Sequence, residues 1–275
     1  MNPLCSLTLR IPAAILGLGW LVSSVSFTNA EQPAISARDL AGRLSALRDG
    51  ASYVRVRLEV KEPIDTTKIT LQLQIKERRS KTAADVVYQV LWPKERKGEA
   101  VLLHKAEGSP PAGSLFMPPD KVSTLNASQM NGSLFGSDLS YQDVVENFFS
   151  WENQVIVGND VVNRVNCLIL ESRPGKGDSS TYTSVRSWID PRRFVPLRVE
   201  KYLPGGRLAR RIETTRVVTD DKGRSIPGVL TVRGPREGSV TDLDGSRIKH
   251  DVTYVDREFT PEGLGEISAP PSAPE

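Results

Sequence analysis

The sequence predicts a mainly β protein, a large antiparallel sheet that curls, accompanied by only a few helices. Three observations lead there. First, two long blocks alternate with period two: Val54, Val56, Leu58 and Val60 against Arg55, Arg57, Glu59 and Lys61, then Ile69, Leu71, Leu73 and Ile75 against Thr70, Gln72, Gln74 and Lys76. That alternation marks antiparallel strands with one apolar and one wet face. Second, turn residues such as Gly158-Asn159-Asp160, Pro204-Gly205-Gly206 and Asp220-Asp221-Lys222-Gly223 separate further strand-like runs. Third, only two stretches carry helix signals. About ten strands result, and a sheet of that size rarely stays flat.

Taken in order, residues 1–30 read as an export signal. Arg10 precedes an apolar run from Ile11 to Val22, and Thr28-Asn29-Ala30 offers small residues for cleavage near Ala30. The run is short and serine-interrupted for a membrane span, and Cys5 precedes it, where a lipid-modified cysteine would have to follow. The mature chain of about 245 residues is long enough for one large β domain or two small ones. Its first helix begins at the cap pair Ser36 and Asp39, carries Leu40, Leu44 and Leu47 on a narrow stripe, and ends by Gly50.

Strand candidates follow at 54–60 and 69–75, then near 86–92, 99–104, 161–172, 182–189, 195–202, 207–218, 226–232 and 247–257. Residues 105–134, rich in Gly, Pro, Ser and Asn, read as a long irregular crossing. At 135–143 a tight turn leads into a capped helix: Ser140 is the N-cap, Asp143 answers it three residues on, and Leu139 with Val144 has staple spacing. Val144, Val145, Phe148, Phe149 and Trp151 follow, which suggests a short apolar lid. Residues 267–275 form a Pro-rich tail expected to be disordered. The alternation itself is compatible with a packed interior and with an apolar cavity whose mouth the helices plug.

Several function classes are disfavoured. With 36 Lys+Arg against 33 Asp+Glu the charge is nearly balanced, which argues against a nucleic-acid partner. His104 and His250 lie far apart in strand-like blocks, and no nucleophile elbow, zinc-protease or phosphate-loop motif is present, so no catalytic residue, metal or cofactor is assigned. Asp242-Leu243-Asp244-Gly245 lacks the later glutamate of a calcium loop and reads as a polar hairpin turn. Cys167 sits in an apolar strand run as a buried filler. The run Arg207, Arg210, Arg211 and Arg216 reads as a solvated strand face, with anionic lipid headgroups as the competing partner.

The motif Phe135-Gly136-Ser137-Asp138-Leu139-Ser140-Tyr141-x-Asp143 resembles the outer-membrane lipoprotein-sorting protein-like family, relatives of the periplasmic carrier LolA. Ser187-Trp188-Ile189-Asp190-Pro191, Phe194 to Tyr202, Gly206-Arg207-Leu208 and Arg257-Glu258-Phe259-Thr260 extend the likeness over most of residues 36–264. Leu139 departs from the family, where relatives often carry Phe. The resemblance implies a single domain over 31–266: a strongly curved, half-open antiparallel β barrel closed by a helical lid. It implies a periplasmic protein that binds lipoprotein acyl chains or other lipids, with an inner-membrane transporter or outer-membrane acceptor as possible further partners. Phe135, Leu139, Tyr141, Val144, Phe148, Phe149 and Trp151 are then lid and rim, Gly132 and Gly136 its hinges, and Trp188 and Tyr202 the sheet side of the pocket. Each buried methylene supplies about 0.8 kcal/mol, so one acyl chain binds without polar help. The alternative is a non-enzymatic accessory protein that docks an envelope transporter or another protein partner.

Overall fold

In the computed structural model, which describes residues 35–62, 69–245 and 247–271, the two alternating blocks are neighbours. Strand β1 (Gly50–Lys61) pairs antiparallel with β2 (Ile69–Arg79), with Val56 opposite Leu73 and Leu58 opposite Leu71. A slip of one residue would turn this entire apolar set to the other face, so the alternation itself fixes the register. The meander continues through β3 (Ala83–Trp92), β4 (Ala100–Ala106), β5 (Ala112–Met117) and β6 (Lys121–Leu125). After α2 (Tyr141–Val145) come β7 (Asn153–Val162), β8 (Val165–Arg173), β9 (Ser184–Asp190), β10 (Val195–Leu203), β11 (Arg207–Thr219), β12 (Ser225–Arg233), β13 (Val240–Asp244) and β14 (Ile248–His250).

These make one 14-stranded sheet in the order β6-β5-β4-β3-β2-β1-β13-β12-β11-β10-β9-β8-β7, with β14 pairing β1. The sheet is not closed, and β6 and β7 are its edges. The short β12–β13 and β13–β1 pairings join two meanders, so the first strand lies in the middle. Helix α1 (Ala37–Ala46) starts as the cap pair predicts, Ser36 Oγ accepting from Asp39 N–H, and buries Leu40, Ala41 and Leu44.

The structure corrects the strand count and says why. Residues 105–134 hold β5 and β6: β5 runs Leu115-Phe116-Met117 without alternation, β6 is largely exposed, and the Pro118-Pro119 turn parts them, so neither shows a period of two. The run read as one strand at 161–172 is a hairpin from β7 into β8. Its turn places Asn163 at φ 50° and Arg164 at φ 65°, a conformation usually announced by Asn-Gly. Asp242 to Asp244 belong to β13 rather than to a turn, with Leu243 buried opposite Leu58. The expected strand at 247–257 shrinks to β14, after which the chain makes a 3-10 turn at Asp256–Phe259.

The outer face is wet over most strands and carries cross-strand ion pairs, among them Arg186–Glu171, Arg211–Glu200 and Arg233–Glu213. Over β3, β4 and β5 the C-terminal segment covers it instead, packing Phe259 and Leu264 on Val87, Ala100, Leu102 and Phe116. Lys76, predicted on the wet side, points outward but is buried there, donating to Glu258 and Ser268. The expected signal at 1–30 and the tail beyond 271 lie outside the described residues. No helix among the described residues is long and apolar enough to cross a membrane.

Curvature follows from α2. This helix packs against β3 and β4, yet its Asp143 bonds to Lys201 on β10 and Arg210 on β11. In a flat sheet β4 and β10 would stand about 34 Å apart, whereas five helical residues span about 7.5 Å. The two wings must therefore curl toward each other around the inner face.

Candidate functional site

The inner face is crossed by the segment 130–151, and its conformation follows from the motif. Phe135 (φ 52°) and Gly136 (φ 85°) make the tight turn, and Leu134 N–H donates back to the Leu139 carbonyl. Ser140 and Asp143 form a reciprocal capping box: Ser140 Oγ accepts from Asp143 N–H, while Asp143 Oδ2 accepts from Ser140 N–H at 2.7 Å. Gly132 is not a free hinge, since a Cβ there would lie 2.9 Å from the Gln129 carbonyl oxygen and 3.1 Å from the Tyr141 ring.

Three polar anchors fix this segment to separate parts of the sheet. Asp138 is buried and accepts from Ser239 Oγ and Thr241 Oγ1 at 2.9 and 2.8 Å, with Arg236 at 3.2 Å. Arg79, at the end of β2, donates to the Val144 and Val145 carbonyls at 2.8 and 3.1 Å, placing a cation at the C-terminal end of α2. Asp143 carries the third anchor. Its Oδ1 accepts from Tyr182 Oη at 2.7 Å and Lys201 Nζ at 2.9 Å, and its Oδ2 from Arg210 Nε at 2.7 Å.

The third anchor lies out of solvent. Lys201 is 1 % exposed and sits 5.6 Å from the Phe148 ring centroid and 5.2 Å from that of Tyr182. Burial alone would raise the Asp143 carboxyl, but Lys201, Arg210 and the hydrogen bonds outweigh it and hold it well below the usual carboxylate range. Burial and the Asp143 charge push the Tyr182 phenol up, so it remains a donor. Glu146, just past α2, has no such pairing; burial pushes it up to about 7 despite Lys201 and its bond from Gln142.

Around these anchors the inner face divides into two apolar clusters. One joins β1–β4, β12 and β13 to Met130, Leu134, Leu139, Val144 and Val145; Phe135 and Tyr141 are half-buried at its margin. The other joins α1 to Phe148, Phe149 and Trp151 over Leu170, Val185, Ile189 and Val199. The Phe148 and Phe149 rings pack at a tilt, with centroids 4.4 Å apart. Val54, Ile212 and Leu230 pack against the first cluster yet keep partial exposure.

Seven of the nine predicted residues therefore meet on the inner face, and Trp188 and Tyr202 do not. Val185 and Ile189 of β9 point inward, so Trp188 points outward, donating its Nε1–H to Asp160 and stacking under Arg198. Lys201 holds the inward place on β10, so Tyr202 faces out beside Arg186 and bonds Glu200. Arg210, read as part of a solvated face, is buried on Asp143, while Arg211 and Arg216 are on the wet side. Cys167 is buried as expected, on the outer face beside Trp188. Sequence reasoning missed Lys201, Arg210, Tyr182 and Asp138 as partners. The available signal was a charge two residues from Val199 and two from Ile212, at positions where alternation demands an apolar side chain.

Comparison with known proteins adds a family. A family profile described as "-like: Uncharacterized protein" matches residues 83–266, more than half of the chain. No curated protein sequence matches. Among solved structures, the chain is similar to a DUF1329 family protein from Desulfovibrio piger (TM-score 0.75, 23 % identity, 83 % of this chain and 97 % of that one). It is also similar to a putative outer membrane lipoprotein-sorting protein domain from Vibrio parahaemolyticus (TM-score 0.73, 19 % identity, 84 % and 98 %). A LolA superfamily protein from Nitrosomonas europaea aligns with TM-score 0.67 at 20 % identity, over 82 % and 98 %. These identities speak to the fold, and they agree with the mainly β, open antiparallel sheet that the motif at 135–143 implies. The chain belongs to the family matched over residues 83–266, and it shares its fold with the LolA superfamily protein and the lipoprotein-sorting protein domain.

Proposed function

We propose that this protein is a periplasmic carrier that reversibly buries lipoprotein acyl chains, or the chains of other lipids, for transport toward the outer membrane. The acyl chain enters between the inner face of the sheet and the segment 130–151, which acts as a helical lid. Leu139, Val144, Phe148, Phe149 and Trp151 are the surfaces it displaces or lines, and Phe135 and Tyr141 form the rim.

One observation carries this reading. The segment covers two adjoining apolar clusters, one of which carries the partly exposed Val54, Ile212 and Leu230 at its margin, and directional polar anchors tie it down. The closed arrangement is packed, so cargo binding requires the lid to lift. The apolar area uncovered is then reburied by the ligand, at about 25 cal/mol per Å². The similarity to a lipoprotein-sorting protein domain supports the same reading.

The test is mass spectrometry of organic extracts from natively purified protein, together with uptake of a fluorescent fatty acid. A stoichiometric lipid, or saturable uptake, is expected; protein that is clean and also refuses the probe would contradict the carrier. A second reading, docking of an envelope protein partner, is favoured by one feature. Edge strand β7 leaves Val155, Val157 and Val161 exposed beside an unpaired backbone edge, a template for an added strand.

A further inference from the structure

We infer that Tyr182, Lys201 and Arg210 form a receptor for the anionic group, a carboxylate or phosphate, of an amphiphilic ligand, a place that the Asp143 carboxylate holds while α2 is seated. The inference rests on the carrier reading above and narrows its ligand class.

The division of labour between the elements carries it. All three donors belong to the sheet side: Lys201 to β10, Arg210 to β11 and Tyr182 to the loop before β9. Their polar atoms converge at 2.7–2.9 Å on the two oxygens of one carboxylate, which belongs to α2. Arg210 also donates to its neighbour's carbonyl, Ala209 O, and Lys201 lies against the Tyr182 ring, so both cations keep a contact on the sheet side that does not depend on Asp143. The Ser140 capping bonds travel with α2 and leave the receptor intact when the helix moves.

Charge then selects the ligand. If α2 lifts to admit a neutral amphiphile, Lys201 and Arg210 lose their counterion beside an apolar surface, which is strongly unfavourable. A ligand that brings its own carboxylate or phosphate replaces Asp143 oxygen for oxygen. The receptor adjoins the apolar surface such a ligand needs: Val144 follows Asp143 into one cluster, Phe148 lies under Lys201 in the other, and Ile212 beyond Arg210 is partly exposed. Head and chain would thus be bound side by side, and the helix would be exchanged for the head.

The experiment compares two amphiphiles of the same chain, palmitate and palmityl alcohol, by displacement of a fluorescent acyl probe from the full chain at mildly alkaline pH. Palmitate is expected to bind about tenfold more tightly, the effect of one charge-assisted bond pair over none. Arg210→Gln should bring the two toward parity, Arg210→Lys should restore part of the preference, and Arg233→Gln on the outer face should leave it unchanged. Equal binding of both amphiphiles by the wild type would overturn the receptor and leave the carrier standing. Binding of neither would overturn both. Inorganic phosphate is expected not to displace palmitate at comparable concentration; displacement would assign the receptor to free anions rather than to lipid heads. The wild-type comparison decides the matter even if Arg210→Gln does not fold.

Discussion

Toward β1–β4 the crossing segment presents Met130, Leu134, Leu139 and Val145 to a cluster with no charge in it, whereas toward β10 and β11 it presents Asp143 to Lys201 and Arg210. Apart from the Arg79 bonds to the Val144 and Val145 carbonyls, the first contact is non-directional: a helix shifted by a fraction of a turn would still bury apolar surface. The second is directional, because a shifted helix would strand two buried cations. Apolar packing therefore supplies the adhesion of the segment, and the ion cluster supplies its position. Under the proposed receptor the contrast also separates what stays from what is exchanged, since a ligand anion would take the place of Asp143.

The largest effect should come from breaking the ionic side alone. Asp143→Ala leaves Lys201 and Arg210 buried without their carboxylate and should cost about 3–5 kcal/mol, read by urea unfolding. A cost near zero would mean that the cluster does not position α2. Next, Leu73→Ala on the apolar side should cost about 3 kcal/mol, since Leu73 is fully buried. The two variants should differ in kind: Asp143→Ala should lower hydrogen-exchange protection at α2 first, Leu73→Ala across the sheet.

A smaller effect should appear in pH. Glu146 is raised from 4.5 to about 7, so the folded state binds its proton more tightly than the unfolded chain. Between those values stability falls as pH rises, by up to about 3 kcal/mol, and does not change further above them. Asp143 has the opposite sign: its depressed value contributes stability that is complete above the unfolded carboxylate range and lost as pH drops below it. Glu146→Gln should remove the fall between pH 4.5 and 7 while keeping the acid limb, which unfolding curves across that range would show. The smallest effect belongs to the outer face. Arg233→Ala breaks an exposed pair with Glu213 and should cost less than about 0.5 kcal/mol.

The apolar side was readable in the sequence because its residues obey alternation. Val54 to Val60 and Ile69 to Ile75 named their strands, their faces and their register, and Ser140 with Asp143 named the start of α2. The ionic side was opaque for the same reason. Lys201 and Arg210 occupy inward positions with charged side chains, so alternation turned Tyr202 toward the pocket and Arg210 toward water. Only the tertiary arrangement, which brings Asp143 from a segment 58 residues away from Lys201, makes those positions sensible. The hairpin at Asn163-Arg164 was hidden because its two positive φ angles are carried without glycine. Asp138 escaped notice because its partners, Ser239 and Thr241, lie about a hundred residues on, beyond any local pattern.

The central claim is that segment 130–151 is a lid exchanged for an acyl ligand. Hydrogen–deuterium exchange of the native chain, with and without saturating palmitate, tests it most directly. The account predicts that palmitate lowers protection at residues 139–151 while β1, β2, β10 and β11 keep theirs. Unchanged protection of 139–151 under conditions where palmitate is shown to bind would contradict it, and would place the ligand elsewhere on the molecule.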